Sequence, residues 1–388
     1  MTLGRKKAIF VFLVLCAFIL TYLRAVPETS LSERAIVVGL GIDKTADGYE
    51  VTTEIINPKS QSGGGLGESD GFALISGTGE TVDSALGVIA QKTGLKVSLS
   101  QCNLVILGSM FMKERVFPSL NYLVQTYSVP ELAIIATAEN SAKELLTTKP
   151  VMTTLSALQM QRTLHSATDD ASIISTNVKD FFKGYLSKSG IANVVRISAK
   201  KVDKTTVDKG TQSSGDVYEY DFSRLVVFAK NKDAMLLDKD DTVAINYMKY
   251  DLKRGGEIVE EEGKTYSLQI TSKKTKTRSK VSGGVPEVLA EVDIKATIKE
   301  TDGLGNYFAI DEIPSRVTEK IENALKKAVE KKMMTTYEKC KTLGIDVYEL
   351  FDILYENNYK DFKRMADDVN YLEKIRFIVN AKISVVKK

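Results

Sequence analysis

Apolar and polar residues alternate along Tyr49–Ile56, with Tyr49, Val51, Thr53 and Ile55 opposed to Glu50, Thr52 and Glu54. This is the pattern of a strand with one wet face. A second apolar run, Ala35–Ile42, precedes it across Asp43-Lys44-Thr45-Ala46-Asp47-Gly48. Gly accepts the positive φ of a tight reversal, so residues 35–56 predict a β-hairpin. Phe72–Gly77 is a short strand. A helix opens at Thr81, carries Val82, Ala85, Leu86 and Ile89 on one face, and closes at Gly94. Asn103–Gly108 is a buried-type strand, followed by a helix over Lys113–Tyr127 with Val116, Phe117, Leu120, Val124 and Tyr127 at helical spacing, and by a strand over Leu132–Ala138. Ser141-Ala142-Lys143-Glu144 reads as a capping box for a short helix ending near Lys149-Pro150.

The region from Thr153 to Ser189 is helical in pattern. One segment holds Leu155, Leu158 and Arg162; the next holds Val178, Phe181, Phe182, Tyr185 and Leu186, after a polar break at Ser166–Asp170. Strands are expected at Val194–Lys201 and Glu219–Lys230, separated by the polar stretch Asp203–Gly215, a candidate linker. Beyond it, Tyr266, Leu268 and Ile270 alternate, as do Val288, Ala290, Val292, Ile294, Ala296 and Ile298, with Gly283-Gly284 as the turn between. The longest helix starts at Pro314-Ser315, bearing Val317, Ile321, Leu325, Ala328 and Val329 opposite Lys320, Lys326, Lys327 and Lys331, and Gly344 ends it. Asp346 caps a further helix with Glu349 at the capping-box offset. The chain closes on a strand alternating Ile375, Phe377, Val379, Ala381, Ile383 and Val385.

These elements define a mixed α/β (α+β) chain: an N-terminal membrane segment, then two to three small mixed-sheet domains packed by helices. The expected division is 1–26 as signal or anchor, 32–150 as a mixed α/β domain, 151–215 as a largely helical middle with its following strand, and 216–388 as a C-terminal α/β domain. The length of 388 residues is too great for one ordinary core. A formal net charge of +3 excludes the basic field of a nucleic-acid binder. Cys16, Cys102 and Cys340 lie too far apart for metal-ligand spacing, and leave open a Cys102–Cys340 bridge or two lone buried thiols.

Residues 1–26 form a targeting segment in which Arg5-Lys6-Lys7 precede the apolar run Ala8–Leu23. Positive charge on the cytoplasmic side places everything after Arg24 outside the membrane. Three readings stand together: an uncleaved signal anchor, lipidation at Cys16, and ordinary cleavage near Ala25. Cys16 follows Leu15 where a lipoprotein signal places a small residue.

Candidate chemistry is sparse. Ser60–Gly67 is Gly-rich but lacks the Gly-Lys-Ser/Thr of a phosphate loop and reads as a surface loop. The one histidine, His165, has no cysteine or histidine partner in sequence. Asp169-Asp170 and Glu260-Glu261-Glu262 read as solvated clusters. No calcium-loop, HExxH or GxSxG pattern occurs. No catalytic, cofactor-binding or metal-binding residue is assigned. Lys273-Lys274-Thr275-Lys276-Thr277-Arg278-Ser279-Lys280 alternates basic and hydroxyl residues. It has two readings: a strand edge protected by charge, or a surface formed by Lys273, Lys274, Lys276, Arg278 and Lys280 that meets a membrane or a partner.

The strand ending in Gly-x-Gly-Ile-Asp-Lys, its Asp-Gly turn and the closing Ile-Ile-Asn-Pro together resemble the opening of the Ger(x)C family, the C subunits of spore germinant receptors. Thr81–Leu86, the Leu104–Gly108 strand and Ser141–Leu146 follow in the order those proteins show. So do Phe228-Ala229-Lys230-Asn231-Lys232, the basic hairpin, the long amphipathic helix, the capped helix and the last alternating strand. The resemblance covers nearly all of 32–388. It implies three small α/β domains and a non-enzymatic, membrane-tethered subunit on the outer side of the spore inner membrane. Its partners would be a polytopic A subunit and a transporter-like B subunit, with a role in receptor assembly or signal coupling. Family members usually carry a lipobox cysteine followed by Trp-Asp. Here Ser30-Leu31-Ser32-Glu33-Arg34 stands at that place and the chain has no Trp. Alternatives are an extracytoplasmic solute-binding protein, or a cell-wall-facing hydrolase using Asp169 or Asp170.

Overall fold

The computed structural model describes residues 10–18, 33–56, 72–113, 116–150, 155–167, 170–202, 216–230, 232–301, 313–365 and 370–386. The expected hairpin forms from β1 (Arg34–Thr45) and β2 (Gly48–Ile56). Gly48 has φ +144°, and a Cβ there would lie 2.3 Å from the Gly79 carbonyl oxygen, so the turn requires glycine. β3 (Phe72–Gly79) pairs with β2 and leads to α1 (Val82–Thr93). Thr81 and Ser84 form a reciprocal cap at the start of α1, and Gly94 closes it in the left-handed conformation. β4 (Lys96–Ser98), β5 (Leu104–Leu107), α2 (Val116–Tyr127), β6 (Ile134–Ala138) and α3 (Ala142–Thr147) follow.

The middle region holds α4 (Ser156–Ser166), β7 (Thr176–Asn177) and α5 (Val178–Tyr185), and then β8 (Ile191–Lys201). β9 (Tyr218–Ala229) and β10 (Met235–Leu237) come next. Their strands continue the first sheet, whose order is β10-β9-β8-β6-β5-β1-β2-β3 with β4 on β1 and β7 on β6. Its centre is parallel and its flanks antiparallel. β5 is buried on both faces: Val105 and Leu107 join the core under α1 and α2, while Leu104 and Ile106 join the core under α3 and α4. That two-sided burial is why it reads as an unbroken apolar run.

The second sheet has the order β11-β12-β13-β14, from β11 (Gly256–Glu261), β12 (Lys264–Ser282), β13 (Val285–Thr301) and β14 (Arg376–Val386). Its inner face packs on α7 (Ser315–Lys341) and α8 (Leu350–Asn357); α9 (Tyr359–Met365) and α10 (Tyr371–Lys374) complete the helices. β14 runs parallel to β13 and ends the sheet. Two donors of its outer edge are taken by α7: Glu330 accepts from the Ala381 N–H at 2.9 Å and Glu322 from the Val385 N–H at 2.8 Å.

Between the two sheets lies α6 (Lys239–Lys249), in contact with β9, β12 and α7. Every residue from Asp241 to Met248 is buried. One core therefore runs from Ile191, Leu225 and Val227 of the first sheet, through Ala244, Ile245 and Tyr247, to Ile270, Ile294 and Leu325. Cys102 and Cys340 are free thiols buried in two different cores.

Candidate interaction surfaces and the junction between the sheets

The Gly-x-Gly-Ile-Asp stretch is a seat for two helices. Gly39 and Gly41 lie on the face of β1 beneath α4 and α3. A Cβ on Gly39 would fall 2.3 Å from the Ala157 Cβ, and one on Gly41 would fall 2.9 Å from the Leu146 side chain. Asp43, next on that face, accepts from the Ser141 hydroxyl and from the Ala142 and Lys143 N–H groups at 2.8–2.9 Å. Ser141 caps Glu144 N–H as expected, while the first two N–H groups of α3, on Ala142 and Lys143, go to Asp43, a hundred residues earlier. Glu54 on β2 does the same for α4: its two oxygens accept from Ser156 and Ala157 N–H, each at 2.9 Å. Burial raises its carboxyl from 4.5 to about 7 against the pull of those two donors.

A second set of carboxylates joins the first sheet to α8. Asp352 accepts from the Ser187 hydroxyl and from the Lys188 and Ser189 N–H groups. Asp346 accepts from Leu350 and Phe351 N–H and from the Ser189 hydroxyl, and burial pushes it up to about 6. Asp346 thus caps α8 as expected, but not through the expected capping box, since Glu349 itself stands at the N-cap. Asp346 caps from a distance, while Glu349, with φ +56°, turns away to pair with Lys249 at 2.5 Å. Beside this pair a cleft of about 400 Å³ opens between α5, the end of α6 and α8. Thr176 and Asn193 line it, and their buried side-chain polar atoms have no hydrogen-bond partner among the described residues.

The basic stretch divides in two. A β-bulge between Ile270 and Ser272 inserts one residue into β12, so the inward-facing set changes from Tyr266, Leu268 and Ile270 to Lys273, Thr275 and Thr277. Lys273 is 1% exposed, which removes it from the expected surface. Its ammonium donates to the carbonyls of Asn246 at 3.1 Å and Tyr250 at 2.5 Å, at the C-terminal end of α6. Burial lowers it from 10.5 to about 7. Lys274, Lys276, Arg278 and Lys280 are exposed on the opposite face. Arg278 pairs with Glu291 at 3.2 Å and Lys280 with Glu287 at 3.1 Å. Past the Leu252–Lys273 bridge, β12 is bordered by β13 alone among the described strands, so these residues also lie along a free edge.

Cys16 sits in a helical segment, 10–18, whose Phe10–Leu15 and Phe18 side chains are exposed. Among the described residues no helix is long and apolar enough to cross a membrane. Most of the expected anchor, residues 1–9 and 19–26, lies outside the described residues, as do the Gly-rich loop at 60–67, the linker at 203–215 and Asp169. Asp170 accepts from the Ser172 N–H and hydroxyl and so closes a turn. His165 is exposed on α4. Glu262, at φ +53° in the β11–β12 turn, pairs with Lys320. Among the described residues no group of three potential ligands could hold a metal ion.

Two sheets with one buried helix between them, and helices held to them by carboxylates, define a mixed α+β body. Two family models succeed each other along the chain, the first ending in β8 and the second beginning in β9 of the first sheet. "Spore germination protein N-terminal domain" matches residues 28–197, and "Spore germination B3/GerAC like, C-terminal" matches residues 223–387. The chain belongs to the Ger(x)C family of spore germination proteins. It is 23% identical over 372 residues to spore germination protein KC of Bacillus subtilis (strain 168), covering 91% of this chain and 89% of that one. Its fold resembles the crystal structure of the GerBC protein, with a TM-score of 0.54 at 15% identity over 90% of this chain and 97% of that chain.

Proposed function

We propose that the chain is the C subunit of a spore germinant receptor, non-enzymatic and held by its N-terminal segment at the outer side of the spore inner membrane. It acts there with a polytopic A subunit and a transporter-like B subunit in receptor assembly or signal coupling. The observation that carries this reading is the succession of both family models along one body, on a chain whose Asp43, Glu54, Asp346 and Asp352 carboxylates all hold structure together. The Ala8–Leu23 run supplies the tether as an uncleaved signal anchor, with a lipid on Cys16 as the other device of equal effect.

The test is affinity purification of the chain from detergent-extracted spore membranes, combined with germination of spores that lack it. Co-purification of the two membrane subunits and loss of the response to a subset of germinants are expected. Unchanged germination together with absence of both subunits from the purified material overturns the proposal. The intact mass of the same material distinguishes the tethers: Met1–Lys388 without lipid for the anchor, a diacylated chain starting at Cys16 for the lipoprotein.

A further inference from the structure

We propose that the tip of the β12–β13 hairpin rests on an anionic lipid surface, with Val281 and Val285 in the interfacial layer and the outer row of cations toward the headgroups. This inference rests on the reading of the chain as membrane-held.

The tip stands clear of the rest of the sheet. β11 reaches only to Gln269, and β14 begins opposite Glu287, so among the described strands Val281–Pro286 is flanked by nothing but its own hairpin partner. Gly283 and Gly284 form the two-residue turn at φ +59° and +85°, and a side chain built on either would meet no atom within 4 Å. At this free end the sequence places two valines around Ser282 and the glycines. Val281 is 37% exposed and Val285 is 46% exposed. Val281 follows the inward set of β12, while Val285 pairs with Ser282 of the outward set, so the tip is apolar on both faces. Packing on the helices accounts for one face only.

Behind the tip, Lys274, Lys276, Arg278 and Lys280 project from the outer face at intervals of roughly 7 Å. The facing strands add Lys295, Arg376 and Lys382 to this face, against the carboxylates Glu287, Glu291 and Asp293. Arg278 and Lys280 are paired, and Arg376 shares Glu287 with Lys280, but Lys274 and Lys276 make no ion pair among the described residues. An apolar end behind which cations outnumber anions suits a surface of hydrocarbon beneath phosphates.

The chain contains no tryptophan, which makes a single introduced indole an unambiguous reporter. The full chain carrying Val285→Trp is mixed with vesicles of phosphatidylglycerol and phosphatidylcholine, or of phosphatidylcholine alone, and floated. Emission and quenching by brominated lipid are then read. The control is Ile258→Trp, exposed on β11 and paired with Ser267, roughly 50 Å along the hairpin from its tip. A blue shift and quenching at position 285 in anionic vesicles only, with position 258 silent, are expected. Adding Lys274→Gln and Lys276→Gln should weaken the tip's equilibrium with anionic lipid by up to roughly 30-fold. Silence at 285 in anionic vesicles, equal quenching in neutral ones, or equal quenching at 258 overturns the proposal. So does shielding of 285 that arises only when the receptor's other membrane subunits are present, since the tip then meets protein. A chain that floats with neither vesicle overturns the membrane-held reading as well; one that floats with a silent tip overturns this inference alone.

Discussion

Replacing Lys273 with methionine tests the reading of the β12 bulge directly. The unfolded chain holds the lysine proton up to about 10.5, and the folded chain releases it at about 7. Between those values the unfolded state binds the proton and the folded state does not. Stability tied to Lys273 is therefore complete above 10.5, falls as the pH is lowered, and reaches its floor below about 7. At about 1.36 kcal/mol per pH unit the whole span is worth about 5 kcal/mol, of which about 2 kcal/mol falls between pH 9 and pH 7. The methionine side chain keeps most of the volume and has no proton to lose. It leaves the Tyr250 carbonyl without the ammonium, a cost of about 1–3 kcal/mol that does not vary with pH. Urea unfolding of wild type and Lys273→Met, followed by far-UV circular dichroism in matched buffers, isolates this residue because every other group titrates in both proteins. The variant should gain about 2 kcal/mol on wild type from pH 9 to pH 7. Parallel profiles would refute the argument, and would mean that the α6 carbonyls keep the ammonium charged throughout.

Glu54 carries the opposite sign. Its raised value makes its contribution complete below about 4.5 and lost as the pH climbs through about 7, so Glu54→Gln should gain about 2 kcal/mol on wild type between pH 5 and pH 7 in thermal unfolding. Gly39→Ala must move α4 away from β1 and should cost about 1–3 kcal/mol, whereas Gly87→Ala, exposed on α1 with open space around it, should stabilise by up to about 1 kcal/mol. Denaturant midpoints of the two variants that moved together would sink the close-approach account. Asp352→Ala removes three acceptor contacts from residues 187–189; hydrogen exchange at Lys188 and Ser189 should accelerate while α7 keeps its protection, and unchanged exchange there would refute the clamp.

What could be read in the sequence depended on whether a segment has one wet face. α1, α7 and β14 each have one, and each lies where its periodicity places it within a few residues; β2 alternates as a strand should, but its expected wet face is covered, since Thr52 and Glu54 are buried along with Val51, Thr53 and Ile55. α6 was invisible for the opposite reason. Wedged between two sheets, it is buried all round from Asp241 to Met248, and a helix without a polar face shows no period to detect. The bulge at Ile270–Ser272 defeats alternation in another way, since one inserted residue exchanges inside for outside and sends Lys273 into the core. The Gly-x-Gly-Ile-Asp stretch was legible as a signature and opaque as a device. Its glycines answer to Ala157 and Leu146 and its aspartate to Ala142, about a hundred residues away. The cleft beside Asn193 had no sequence signal, because its walls come from α5, α6 and α8.

The two glutamates of α7 that reach the last strand have a consequence for how copies of this protein can coexist. A strand that ends a sheet offers a row of unspent donors on which any passing chain can crystallise. Glu322 and Glu330, about two helical turns apart, occupy two of those donors and hold α7 along the border. Growth by accretion is hindered on that side. The sheet has a finished hem. Copies of the molecule can then touch repeatedly without being stitched together along β14.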